Sequence, residues 1–102
     1  MRVVLVQMAP RLGEVGQNLD FHLHFIEKAK KKKAGLIVFP ELSLTGYTLM
    51  DLVEEVAIKP GKSPIFNKIK ALSRKIDIVL GFVEEKERGV YYNSSAYFRG
   101  GR

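Results

Sequence analysis

The sequence predicts an α/β fold in which one sheet carries both long helices on a single face. Three observations predict it. Two apolar runs, "RVVLVQM" and "LIVF", carry little polar alternation and read as buried strands. Two stretches with apolar residues every three or four positions read as helices between strands. The last third of the sequence holds two more strand-like runs joined by the turn signal "KERG". The order strand, helix, strand, helix, strand, strand is that of an α/β domain. Right-handed crossovers with strand order progressing one way place both helices on the same face, leaving the other face apolar and uncovered.

Each element has its own justification. Residues 2–8 are mostly β-branched and apolar, and Pro10 and Gly13 end that strand. From Val15 to Lys33 a helix is marked by Val15, Leu19, Leu23, Ile26 and Ala29, with Phe21 and Phe25 widening the apolar face. Gly35 stands where a helix commonly ends in a left-handed residue. A second strand covers residues 36–39. Gly46 marks a turn, and Met50 to Ile58 reads as a short helix ended by "KPGKS". Ser63 followed by Pro64 is a helix start, and Ile65, Ile69, Leu72 and Ile76 give the stripe of a helix over 64–75. Residues 77–84 and 90–98 complete the sheet, and "RGGR" reads as a further turn.

Composition sets the class. At 102 residues the length fits one domain, able to bury roughly 60–70 % of its unfolded surface in one modest core. Apolar residues make up 46 % and charged residues 27 %, far from the composition of disorder. No apolar run approaches the ~18 residues of a membrane span, and "MRVVLVQMAP" lacks the features of a secretory leader, so the expectation is a soluble, cytoplasmic protein with no membrane partner. The absence of cysteine excludes disulfides, thiolate metal sites and cysteine nucleophiles within these residues. The net charge of +6 comes largely from "EKAKKKKAG", where cations complement the negative end of a helix dipole. No aromatic residues interleave with those lysines as a nucleic-acid stacking platform requires, so no nucleic-acid partner is expected.

One carboxylate looks deliberately placed. In "VFPELSLTGY", Pro40 keeps Phe39 extended and removes a ladder donor, so the strand stops there. Glu41 is thereby set at the carboxyl end of a buried strand, where α/β proteins form their ligand sites. A solvated loop glutamate, or one capping local amides, is the plain alternative.

The whole word carries more. "FPELSLTGY" resembles the glutamate motif of the nitrilase (carbon–nitrogen hydrolase) superfamily. "VVLVQMAPRLGEVGQNLDFHL" is similar to that family's first strand and helix, "IDIVLGFVEE" to its third strand, and "YYNSSAYF" to the strand after it. The resemblance implies a nitrilase-like α-β-β-α sandwich, of which this chain supplies about one helix layer and one sheet. It implies that Glu41 is the general base of a Glu-Lys-Cys triad, with lysine stabilising an oxyanion and cysteine carrying the acyl group as a thioester. In the family both partners lie downstream of the "YYNSSAYF" region. Residues 1–102 are therefore expected to be the N-terminal part of one such domain, cut before lysine and cysteine and inactive alone.

The same resemblance places Tyr47 near the substrate pocket; a half-buried aromatic holding the loop is the alternative. His22 falls on the apolar side of the first helix and His24 on the polar side, and neither has metal-ligand spacing. "GEVG" lacks the features of a phosphate loop. No metal and no cofactor is expected. The expected activity is hydrolysis of a non-peptide C–N bond in a small amide, nitrile or carbamoyl substrate, by a protein that forms homo-oligomers through the uncovered sheet face. Two alternatives stand beside it. "LTGYTLMDLVEE" is similar to the glutamine-hydrolysing domain of NAD synthetases, though Thr48-Leu49-Met50 replaces a proline-rich segment there. The other is a non-catalytic oligomerising or basic binding module on the same scaffold.

Overall fold

The apolar strands and one-sided helices assemble as their periodicities require. The computed structural model describes residues 1–11, 13–46 and 57–102. Along the chain run β1 (Val3–Leu5), α1 (Val15–Lys31), β2 (Leu36–Val38), a 3₁₀ turn (Pro60–Lys62), α2 (Pro64–Leu72), β3 (Asp77–Glu87) and β4 (Val90–Phe98). The sheet order is β1-β2-β3-β4, with the first three strands parallel and β4 antiparallel to β3. The short helix expected from Met50 to Ile58 lies outside the described residues as far as 56, and at its end Ile58 forms a parallel bridge with Glu84 in place of a helical turn.

The cross-strand register sorts the side chains into two faces. Val4, Ile37, Ile78 and Phe98 form one row across all four strands. Ile26 of α1 and Ile69 of α2 join the same buried cluster as Ile37, Ile78 and Leu80, each no more than 1 % exposed. Phe66 of α2 meets Phe82 and Phe98 edge-on, with ring centroids 4.9 and 5.2 Å apart. Both helices thus pack on one face, as the crossover rule requires. Leu5, Val38, Val79 and Tyr97 form the parallel row on the other face. There Leu5 is 74 % and Tyr97 57 % exposed.

Several boundaries differ from expectation, each for a local reason. The first strand spans Val3–Leu5, not 2–8, because β2 offers only three partners. One further bond, from the Val6 amide to the Val38 carbonyl, extends that pairing. Helix α1 ends at Lys31, and the left-handed residue after it is Lys33 (φ 59°), not Gly35. The Lys33 amide donates to Lys30 and the Ala34 amide to Ala29, the bond pair of a Schellman cap. Gly35 lies just before β2 and donates its amide to the Arg2 carbonyl. The most buried row of α1 is Asn18, His22, Ile26 and Ala29, with Phe21 turned outward and 46 % exposed. In α2 the expected start is found: the Ser63 side chain accepts the Phe66 amide and Pro64 follows as the first helical residue. That helix stops at Leu72 rather than 75, and the "RGGR" turn docks on its end, the Gly100 and Gly101 amides donating to the carbonyl and hydroxyl of Ser73.

Strand β3 is far longer than β2, so its inner edge needs other partners. Beyond Val38 the Phe39 amide donates to Val79, the Leu44 amide to Gly81 and the Ile58 amide to Val83. The Glu85 amide in turn donates to Ile58. Where backbone carbonyls are wanting, side chains substitute: Ser43 Oγ accepts the Gly81 amide and Thr45 Oγ1 the Val83 amide. The loop after β2 is therefore stitched to β3 as an irregular strand would be.

Candidate active site

Glu41 sits in that stitched loop, and three local features fix it. Pro40 ends the ladder. Leu42 then adopts φ 53°, a left-handed conformation costing roughly 1–2 kcal/mol for a residue with a Cβ. Gly46 closes the turn by donating its amide to the Leu42 carbonyl at 2.7 Å. Burial of Leu42 (6 % exposed) and Leu44 (0 %) offsets the strain. Their side chains go inward and Glu41 is left at the surface.

The loop lies across Gly81 of β3. A Cβ built there would come within 2.4 Å of the Leu42 nitrogen, 3.0 Å of the Pro40 oxygen and 3.1 Å of the Glu41 carbonyl carbon. Only glycine permits that approach. Residue 81 shares its sheet face with Val79 and Val83, so the Glu41 backbone rests over the helix-free face. On that face Asn93 of β4, paired with Val83, donates its side-chain amide to Glu41 Oε1.

Behind the loop lies a buried polar network. Asn18 Nδ2 donates to the carbonyls of Arg11 and Leu44 at 2.8 and 2.9 Å, and its Oδ1 accepts the Arg11 amide. His22 Nδ1 is 2.6 Å from the Asn18 carbonyl, which can only accept, so Nδ1 carries the proton. Its Nε2 then accepts the Ser43 hydroxyl at 2.8 Å, and Ser43 Oγ is left to receive the Gly81 amide. The imidazole also stacks on Phe39 at 4.1 Å. Burial pushes the His22 pKa down from 6.5 to about 4, partly opposed by the Asn18 carbonyl, so the ring is neutral at pH 7. Helix α1 thus holds the loop after Glu41 through neutral hydrogen bonds to Ser43 and Leu44, and the residue before Pro40 through stacking of His22 on Phe39, without a competing charge.

Glu41 was legible in advance, and the structure puts it at the carboxyl end of β2 as expected. Tyr47 lies outside the described residues. His24 is exposed on the outer side of α1. Over residues 2–102 the sequence matches the carbon-nitrogen hydrolase family.

The chain belongs to that family.

It is 34 % identical over 100 residues to the glutamine-dependent NAD(+) synthetase of Acinetobacter baylyi, a match covering 98 % of this chain and 18 % of that protein. It is 35 % identical over 99 residues to a nitrilase of Pyrococcus abyssi, covering 93 % of this chain and 37 % of that one. A crystal structure of an N-terminal amidase superposes with a TM-score of 0.80 at 28 % identity, over 97 % of this chain and 25 % of that one. The chain therefore spans less than two-fifths of the length of each. Among the described residues no helix is long and apolar enough to cross a membrane.

Sequence reasoning placed His22 on the apolar side of the first helix without finding its partners, and it passed over Asn18, Ser43 and Asn93. A signal existed for two of them: Asn18 and His22 are four apart on the buried face of α1, where two polar side chains need partners. Ser43 and Asn93 carried no such signal, because their partners are 38 and 52 residues away in sequence.

Proposed function

We propose that these residues form the N-terminal part of a carbon–nitrogen hydrolase domain that opens a non-peptide C–N bond in a small amide, nitrile or carbamoyl compound, with Glu41 as general base. The observation that carries this reading is the Glu41 turn: a strained, glycine-dependent loop in a family member presents one carboxylate at the end of a buried strand. A thiol and a lysine supplied from outside residues 1–102 complete the site. For an amide substrate, Glu41 takes the thiol proton as sulfur attacks the carbonyl carbon, and the lysine stabilises the oxyanion. The proton passes to the departing amine as the C–N bond breaks and a thioester remains. Glu41 then takes a proton from water, hydroxide attacks the thioester, and the proton returns to the thiolate as the acid leaves. In this reading Tyr47, six residues after Glu41 in the same motif, contributes to substrate binding.

A second, narrower reading is a glutaminase portion of a glutamine-dependent NAD synthetase, favoured by the 34 % identity to the Acinetobacter baylyi protein. The side-chain amide of glutamine is a small amide of the proposed class. One experiment tests both. The full-length protein encoding these residues is incubated with glutamine, small aliphatic amides and nitriles, and the acyl-enzyme is followed by mass spectrometry. Glu41→Gln should keep the fold and lower acylation by roughly 10²–10⁴-fold, the range for a lost general base. Acylation by glutamine alone selects the narrower reading. Equal rates in the two proteins return Glu41 to a surface loop residue, and a full-length protein without thiol or turnover points to a non-catalytic module.

A further inference from the structure

We propose that Asn93 is a positioning residue of the catalytic centre, its carboxamide holding Glu41 in the orientation from which the carboxylate takes its proton. The inference rests on the assignment of Glu41 as general base.

The geometry is that of a bridge across β3. Glu41 belongs to the loop on one side of that strand, and Asn93 to β4 on the other. Both are on the helix-free face: the Glu41 backbone rests over Gly81, where any side chain would collide with it, and Asn93 stands opposite Val83, two residues further along β3. Asn93 is set by a long antiparallel ladder, in register from Ile78 with Phe98 to Glu85 with Tyr91. Glu41 is set by a five-residue turn. A donor fixed on a regular strand therefore tethers a carboxylate carried on an irregular one.

The chemistry suits a base. Asn93 Nδ2 donates to Oε1, and an ionised carboxylate is the form that only accepts. Fixing one carboxylate oxygen orients the other, which a base needs within about 2.6–3.2 Å of the atom it deprotonates. A lysine or arginine here would pair with the carboxylate as a counter-ion and weaken it as a base. An aspartate, nearly the same shape, has no N–H and adds a second negative charge. An uncharged amide orients the carboxylate without supplying a counter-ion.

The test uses the full-length protein and single-turnover acylation by its preferred amide, with Asn93→Ala, Asn93→Asp, Glu41→Gln and the two doubles that combine Glu41→Gln with each Asn93 change. Asn93→Ala should lower kcat about 10–100-fold, as for a lost hydrogen bond to a charged group, while KM stays within about threefold. Asn93→Asp should lose at least as much, although it preserves shape. In the Glu41→Gln background neither change should lower the rate further, because a residue acting through Glu41 has nothing left to position. Equal fold-losses in the two backgrounds, or wild-type kcat in both Asn93 variants, would overturn the proposal. If Glu41→Gln itself acylates at the wild-type rate, the base assignment fails and the role of Asn93 falls with it. If Glu41→Gln is impaired and the Asn93 variants are not, only the Asn93 proposal fails. Asn93 is surface-exposed, and thermal melting of each variant verifies folding.

Discussion

Replacing Gly81 by alanine adds one methyl group at the point where the Glu41 loop crosses β3. The new carbon would stand 2.4 Å from the Leu42 nitrogen, whereas ordinary contact begins at 3.4 Å. The loop must retreat by about 1 Å, and since every close atom is backbone, no side chain can swing aside. Overpacking of this kind costs about 1–3 kcal/mol. Alanine recovers about 0.5–1 kcal/mol of that in a strand interior, because it has less unfolded-state freedom than glycine. The net expectation is a destabilisation of about 0–2.5 kcal/mol, measured by urea denaturation. The effect on chemistry should be larger, since a displacement of 1 Å in a reacting group costs about 10²-fold in rate. Gly16→Ala serves as the control: nothing lies within 4 Å of its added carbon, and a helical alanine should stabilise by about 0.5–1 kcal/mol at unchanged acylation. A Gly81→Ala protein with wild-type stability and wild-type acylation would refute the argument that glycine is needed for the loop to reach its place.

Two other expectations follow from the buried histidine and the open face. His22 takes up its proton near pH 4 when folded and near 6.5 when unfolded, so the unfolded state gains protons first as pH falls. Stability from this residue should be complete above pH 6.5 and decline towards pH 4 by about 3 kcal/mol in all, and denaturation of His22→Gln should lack that slope between the two values. Residues 1–102 alone should self-associate through the face bearing Leu5, Val38, Val79 and Tyr97, and Leu5→Lys should weaken the association. Light scattering at high micromolar concentration checks this, and a stable monomer would count against it.

The fold was legible where short-range chemistry decides it. Ser63 and Pro64 announced the start of α2, and "KERG" announced a hairpin whose Gly89 turns at φ 79°. The α1 terminus was misplaced because the sequence offers a glycine two residues beyond the one that takes the left-handed turn. Lys33 bears that conformation because the Schellman bonds and the strand starting at Leu36 leave no room for a longer helix. The apolar stripe of α1 was read one step off for a related reason. Asn18 and His22 are polar, so periodicity of apolar residues overlooks them, yet hydrogen bonding satisfies them in full within the core. Glu41 stood out through Pro40 and the family word around it. Asn93 could not, because only the sheet register brings it across β3.

Val83 has a consequence for how this scaffold accommodates variation. Its amide is held by Thr45 and its carbonyl by Ile58, so one residue of β3 clasps both ends of the chain between positions 46 and 57. A segment clasped at its base can change length or composition while the strands on either side keep their register. The entropic cost of lengthening it grows only slowly, by about 0.6 kcal/mol for each doubling. Insertions and deletions there are therefore buffered from the Glu41 turn, which is anchored separately over Gly81. Such a division makes the interval between Gly46 and Ile58 the natural place for this scaffold to vary in length and sequence.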